Sequence, residues 1–193
     1  MQSTNQNGDL MATLDGRHGR ALLVVDLQQG VVAGAHHRDD VIATVTDLVM
    51  QARDAHVPVV WVQHHDDELA RDSPQWQWVQ GLGPAEGEPW VEKSFGDAFA
   101  DTVLEQTLAD LGVAEIILVG ASSEQCIRCT MHSAVVRGYD VALVKCGHTT
   151  VDLTEYGLPE PAVVVAFLDS IASFGMEWPG RRGRSVTPET VDF

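Results

Sequence analysis

Positive charge is scarce in this sequence. Lys and Arg number 12 against 28 Asp and Glu, giving a formal net charge of −16 at pH 7, so a nucleic-acid backbone or an anionic membrane surface would be repelled rather than bound. Cysteine is also sparse, and 3 residues, two of them close together, make free thiols rather than a disulfide framework. Long hydrophobic runs are missing: no segment approaches the roughly 20 apolar residues of a membrane span. Residues 1–20 lack the apolar stretch of a secretory signal, which leads to the expectation of a reducing, cytoplasmic location. No internal repeat is evident. What remains is ordinary globular composition, 45% hydrophobic and 21% charged over 193 residues, and a chain of that size buries roughly 70% of its unfolded surface on folding.

The order of apolar runs predicts alternating strands and helices. Residues 1–20 are polar and lack periodicity, and are expected to form a flexible tail; 21–193 are expected to form one domain. Residues 21–25 (ALLVV) are a continuous apolar run ending in Asp26, a buried parallel strand. A helix is predicted from Asp39 or Asp40 to Ala55, with Val41, Val45, Leu48, Val49 and Ala52 on one face, followed by a strand at 57–63. Residues 68–89 form a long excursion containing Trp76 and Trp78, with Trp90 just beyond it. Long ordered loops are usually lids or binding loops. These tryptophans are candidates to wall a pocket or a subunit contact, and fit equally the pinning of the loop. Residues 91–95 are extended, 97–111 helical, and 115–119 (EIILV) a second buried run, followed by a helix-period pattern. Ser122 or Ser123 is the predicted N-cap, and Ser122 with Gln125 matches a capping box. A strand at 139–145 and a helix opened by Pro159 and Pro161 follow. The tail from Phe174 wraps or extends. This alternation predicts an α/β, three-layer, Rossmann-like fold with a central, mainly parallel sheet of five or six strands flanked by helices.

Asp26, His64, Cys126 and His148 all fall just past strand ends, where ligand crevices of open parallel sheets lie. Taken alone, Asp26 fits a loop-capping carboxylate equally well. His64, His65, Asp66 and Asp67 invite a metal reading, but adjacent histidines on extended chain point in opposite directions. Lys93, read locally, is a surface charge.

The cysteines admit three chemistries. Cys126 and Cys129 form C-x-x-C at a helix start, the placement of a thioredoxin-like redox pair; the intervening Ile-Arg lacks the usual turn, and Cys129 reads as a packing residue. Cys126, Cys129, Cys146 and His148 approach zinc-ribbon spacing, but the residues between them complete a helix and a buried strand rather than short hairpins. The third chemistry is nucleophilic. A helix terminus favours a thiolate by only about 0.3 to 1 kcal/mol, so Cys126 needs a neighbouring base or cation. A lysine about 4 Å away offers up to roughly 4 kcal/mol at an effective dielectric of 20.

Three blocks carry a resemblance over residues 21–171: ALLVVDLQQG with Asp26, VEKSFGDAFADTVLEQTLADLGV with Lys93, and LVGASSEQCIRCTMHSAVVRGYDV with Cys126. Together they resemble the isochorismatase-like cysteine hydrolases, which include nicotinamidases, N-carbamoylsarcosine amidase and ureidoacrylate amidohydrolase. The resemblance implies a catalytic Asp26, Lys93, Cys126 triad, a cis peptide at Ala121-Ser122, and an oxyanion hole from the Ser122 and Cys126 backbone N–H groups. It also implies a homo-oligomer. Two departures stand out. Gln63-His64-His65 does not reproduce the family's metal-binding Asp-x-His, so no catalytic metal and no cofactor are expected. Cys146 stands where the family usually has Asp. Isochorismatases proper lack the nucleophilic cysteine, which disfavours vinyl-ether hydrolysis. The expectation is a hydrolase of an amide, carbamoyl or ureido C–N bond in a small molecule, with Gln28, His64, Trp76, Trp78, Trp90 and His148 as candidate substrate-binding residues. The alternatives are a thiol redox or sensing protein using Cys126 and Cys129, and a non-catalytic binding member of the family.

Overall fold

The computed structural model describes residues 14–193. The expected flexible tail therefore lies, for residues 1–13, outside the described residues. Residues 17–19 are docked: Arg17 donates to the Tyr139 hydroxyl at 2.7 Å, and the His18 and Gly19 N–H groups donate to the Gly112 carbonyl.

The apolar runs become strands that bury both faces. β1 (Gly19–Val25) and β4 (Val113–Ala121) lie side by side in parallel, Leu22 opposite Ile117 and Val24 opposite Val119. Successive side chains of a strand point to opposite faces, so β1 feeds two cores. Ala21, Leu23 and Val25 pack on the side of α2 (Leu104–Asp110), α3 (Arg128–Arg137) and α4 (Pro161–Phe174). Leu22 and Val24 pack on the side of α1 (Arg38–Asp54), against Val41, Val45 and Leu48. This is the expected three-layer arrangement.

With β2 (Val59–His64), β3 (Trp90–Lys93), β5 (Asp140–Thr149), β6 (Glu177–Trp178) and β7 (Arg181–Val186), the sheet has seven strands in the order β3-β2-β1-β4-β5-β7-β6. All pairs are parallel except β6 with β7. The strands beyond the expected five or six come from the tail. β7 has no apolar run: its sequence is RRGRSV, its buried position is Gly183, and a Cβ there would stand 2.8 Å from Met176 Cβ. Arg184 pairs with Glu115 of β4, so charged side chains occupy positions where the other strands carry valine and leucine.

α2 is shorter than predicted. Asp101 adopts a left-handed φ of 55°, the Phe99 N–H donates to Asp97 Oδ1 at 2.9 Å, and Thr102 Oγ1 donates to the Ala98 carbonyl. These side chains bond to backbone that a helix would otherwise use, and the helix starts only at Leu104. Gly120 shows the opposite constraint. At φ 130° its missing Cβ would stand 1.9 Å from the Val25 carbonyl oxygen, so only glycine lets the ends of β1 and β4 come together.

Among the described residues, no helix is long and apolar enough to cross a membrane.

Candidate active site

The sheet order reverses at β1: β2 and β3 lie on one side and β4 on the other. The crevice at such a switch point, outside the carboxyl ends of the strands, is where open α/β sheets bind ligands. Asp26 follows β1, Lys93 closes β3, and Cys126 sits in the turn after β4. Asp26 has a φ of 53°, a left-handed conformation that Asp tolerates better than most residues, and its N–H is held by the Val62 carbonyl at 2.9 Å.

The three side chains meet. Lys93 Nζ lies 2.7 Å from Asp26 Oδ2 and 3.2 Å from Cys126 Sγ. It also donates to the Phe95 carbonyl at 3.2 Å and stands 3.3 Å from His64 Nδ1. The Lys93 side chain is 0% and that of Asp26 1% exposed. The lysine that local sequence assigns to the surface is thus a buried cation. Apart from Lys93 and the Cys126 thiol, the Asp26 carboxylate has no hydrogen-bonding neighbour among the described residues.

The electrostatics follow from this packing. Burial pushes the Cys126 thiol up to about 12, with the Asp26 charge adding to the rise and Lys93 opposing it. Cys126 is therefore held as a thiol beside a carboxylate rather than as a preformed thiolate. Burial works against the Lys93 ammonium, yet Asp26 and Cys126 together hold its pKa above the ordinary lysine value.

The turn carrying Cys126 differs from the predicted cap. Ala121-Ser122 is a cis peptide, and residues Ser123–Ile127 form a π-helical turn before α3, the Ile127 N–H reaching back five residues to the Ser122 carbonyl at 3.1 Å. Ser122 makes no side-chain cap, so the predicted capping box is absent. Single π turns recur at functional sites. The Ser122 N–H has no acceptor among the described residues.

Of the candidate substrate-binding residues, His64 joins the cluster. Its Nε2 is 3.0 Å from Asp66 Oδ2, and its side chain is 18% exposed. His65 points elsewhere, to Arg71 and Ser94. Gln28 is fully buried, donating to the His64 and Trp76 carbonyls and accepting from the His64 N–H, each at 2.9 Å. With Gln63, which also donates to the Trp76 carbonyl at 2.7 Å, it clamps the long loop to the sheet. Trp78 packs edge-on against Trp61, 5.2 Å between ring centroids, in the core on the α1 side. Trp76 is buried beside Trp90, 6.0 Å between centroids. Trp90 begins β3, three residues or about 10 Å upstream of Lys93 at strand rise. These contacts pin the loop to the sheet. The His148 side chain is 0% exposed and lies against Ser123 and Asp169.

The three cysteines are free thiols, and Cys129 packs its sulfur against Gly96. Among the described residues, no three His, Cys, Asp or Glu side chains converge to hold a metal ion. Cys146 is exposed at φ 59°. Asp and Asn adopt that conformation more readily than Cys, so the backbone at this position would suit an Asp.

The model of the isochorismatase domain matches residues 20–158. The chain belongs to the isochorismatase family. A streptothricin hydrolase of Streptomyces noursei is 37% identical over 140 residues, covering 69% of this chain and 56% of the relative. A maleamate amidohydrolase of Pseudomonas putida is 26% identical over 148 residues, covering 65% of this chain and 70% of that enzyme. The isochorismatase-family chain spans about half the length of the curated relatives it matches first, 56% and 51%. Among solved structures, an isochorismatase from Pseudomonas putida superposes with a TM-score of 0.80 at 24% identity, covering 90% of each chain; this likeness supports the fold.

Proposed function

We propose that this protein is a cysteine-dependent hydrolase that cleaves an amide, carbamoyl or ureido C–N bond of a small molecule through a thioester. The observation that carries the reading is the buried Lys93 ammonium bridging the Asp26 carboxylate at 2.7 Å and the Cys126 sulfur at 3.2 Å. A streptothricin hydrolase and a maleamate amidohydrolase among the relatives support hydrolytic chemistry.

The raised thiol pKa sets the order of events. As Cys126 Sγ attacks the carbonyl carbon, its proton moves to Asp26, the adjacent base. The carbonyl oxygen becomes an oxyanion, accepting the Ser122 and Cys126 backbone N–H groups. Asp26 gives its proton to the leaving nitrogen, the C–N bond breaks, and an acyl thioester remains on Cys126. Water, deprotonated by Asp26, attacks the thioester and releases the acid; the proton returns to sulfur. Lys93 stays charged throughout, offsetting negative charge on Asp26 and then on sulfur. No step asks Cys129 to take part.

The homo-oligomer reading is supported by α4. Its exposed side includes Val163, Phe167 and Phe174, and its only charged residue, Asp169, is half-buried. Two copies of a chain with charge −16 can approach along an uncharged face without like-charge repulsion. Sedimentation of wild-type and Phe167→Glu protein tests this: a dimer or larger species for the first, a monomer for the second.

The test of the function is ammonia or amine release from a panel of small amides, ureides and carbamoyl compounds, with Cys126→Ala as control. At least one compound is hydrolysed by the wild type and not by the variant; equal rates for the two would overturn the reading.

A further inference from the structure

Behind the nucleophile turn lies a buried polar relay outside the Asp26, Lys93, Cys126 cluster. His148 Nδ1 is 2.8 Å from Ser123 Oγ, and His148 Nε2 is 3.5 Å from Asp169 Oδ1, which also accepts the Ser185 hydroxyl at 2.7 Å. Ser123 is 0% and His148 1% exposed. Burial alone would raise the Asp169 carboxyl, but the bonds from His148 and Ser185 hold it below the usual range. An ionised Asp169 selects the tautomer: Nε2 carries the proton facing the carboxylate, leaving the Nδ1 lone pair to accept the Ser123 hydroxyl.

The order Ser, His, Asp matches that of many hydrolases, but Ser123 is sealed from solvent and no substrate reaches its oxygen. The relay is placed to hold rather than to react. β5 grips the turn at two successive points. Ala121 pairs with Thr149 across the β4 and β5 ladder, and Ser123 hydrogen-bonds the side chain of His148. Between these anchors lies the peptide whose Ser122 N–H has no acceptor among the described residues. On the hydrolase reading proposed above, that N–H faces the developing oxyanion.

We infer that His148, oriented by Asp169, is a positioning residue that holds Ser123 and thereby aims the Ser122 and Cys126 N–H groups at the oxyanion. Its effect belongs to steps that build negative charge on a carbonyl oxygen, and not to the reactivity of the sulfur itself.

Two reactions of Cys126 separate these effects. Acylation by p-nitrophenyl acetate, followed as the burst of p-nitrophenolate, passes through a tetrahedral oxyanion; alkylation by iodoacetamide displaces iodide and forms none. Both rates are measured in a Cys129→Ser, Cys146→Ser background, where Cys126 is the remaining thiol. His148→Leu and Ser123→Ala each slow the burst by about tenfold or more, while alkylation stays within about threefold of the background protein. His148→Asn, whose Oδ1 replaces Nδ1 as acceptor, recovers most of the burst. Ser123→Ala decides the matter if His148→Leu does not fold. Parallel loss of burst and alkylation, with a lowered melting temperature, would overturn the inference in favour of a purely structural role. An unchanged burst in both variants would overturn it outright. Absence of any Cys126-dependent burst in the unsubstituted background contradicts the hydrolase reading first and removes the inference with it.

Discussion

Lys93 Nζ stands 3.2 Å from Cys126 Sγ, so the same ammonium that neutralises Asp26 also faces the Cys126 sulfur. It has three hydrogens to give and four acceptors around it: Asp26, Cys126, the Phe95 carbonyl and His64 Nδ1. A cation so placed can follow negative charge from carboxylate to sulfur without moving its side chain.

Replacing Asp26 by Asn separates basicity from nucleophilicity. Burial is the largest cause of the raised Cys126 pKa and the Asp26 charge the next. Removing that charge lowers the thiol pKa, raises the thiolate fraction at neutral pH and speeds iodoacetamide alkylation. Hydrolysis nevertheless falls by about 10² to 10⁴, the usual worth of a general base. Alkylation and hydrolysis rates measured on one preparation check the opposite signs.

Lys93→Met removes the cation that opposes the rise in the Cys126 pKa. The thiol pKa moves further up, and alkylation at pH 8 slows. Asp26 is also left as a buried, unpaired carboxylate, a loss of about 3 to 5 kcal/mol. Thermal melting with the alkylation rate distinguishes this outcome from that of Asp26→Asn, where alkylation speeds up.

Glu88 links the end of the long loop to the body of the fold. It accepts Arg53 Nε at 2.7 Å, Arg53 Nη2 at 2.9 Å, Trp61 Nε1 at 2.7 Å and the Ala85 N–H at 2.8 Å. Burial raises its pKa, but these donors outweigh it and the net shift is downward from 4.5. A depressed folded-state value means stabilisation that is fully present above the unfolded value and lost as pH falls through the folded one. Glu88→Gln is therefore destabilising by about 1 to 3 kcal/mol at pH 7, and the difference from wild type shrinks below pH 4. Urea denaturation at the two pH values measures it.

Gln28→Leu keeps the volume near that of Gln but leaves the His64 N–H and the His64 carbonyl without this partner, and the Trp76 carbonyl with Gln63 alone. Buried unpaired polar groups cost about 1 to 3 kcal/mol each. Because these bonds tie the 65–89 loop to the sheet, hydrogen exchange in that loop accelerates far more than in β1 or β4.

How much could be read in advance depended on whether a residue's role is visible in its neighbours along the chain. β1 and β4 are runs of apolar side chains, and a run declares a strand buried on both faces. β7 does not, because its buried position is a glycine and its ion pair to Glu115 comes from across the sheet. Lys93 looked like surface charge until three separated blocks were considered together, since its partners come from β1 and from the turn after β4. By sequence Gln28 and His148 belong beyond strand ends at the crevice, but β5 runs on through His148 to Thr149. The direction of His148 depends on an irregular register between Leu118 and Gly120, which no local pattern announces. Asp169 did carry a signal: it is the one charge in the otherwise uncharged PAVVVAFLDSIASF helix, and a lone carboxylate on an apolar helix needs a partner.

The central claim is a covalent one, that acyl transfer runs through Cys126, and intact-protein mass spectrometry tests it most directly. Rapid acid quench during turnover of a hydrolysed amide should show wild-type protein heavier by the mass of the acyl group, with the adduct mapped to the peptide containing Cys126 and absent from Cys126→Ala. Steady hydrolysis by Cys126→Ala, or an adduct found on Cys129 or Cys146 instead, would contradict it.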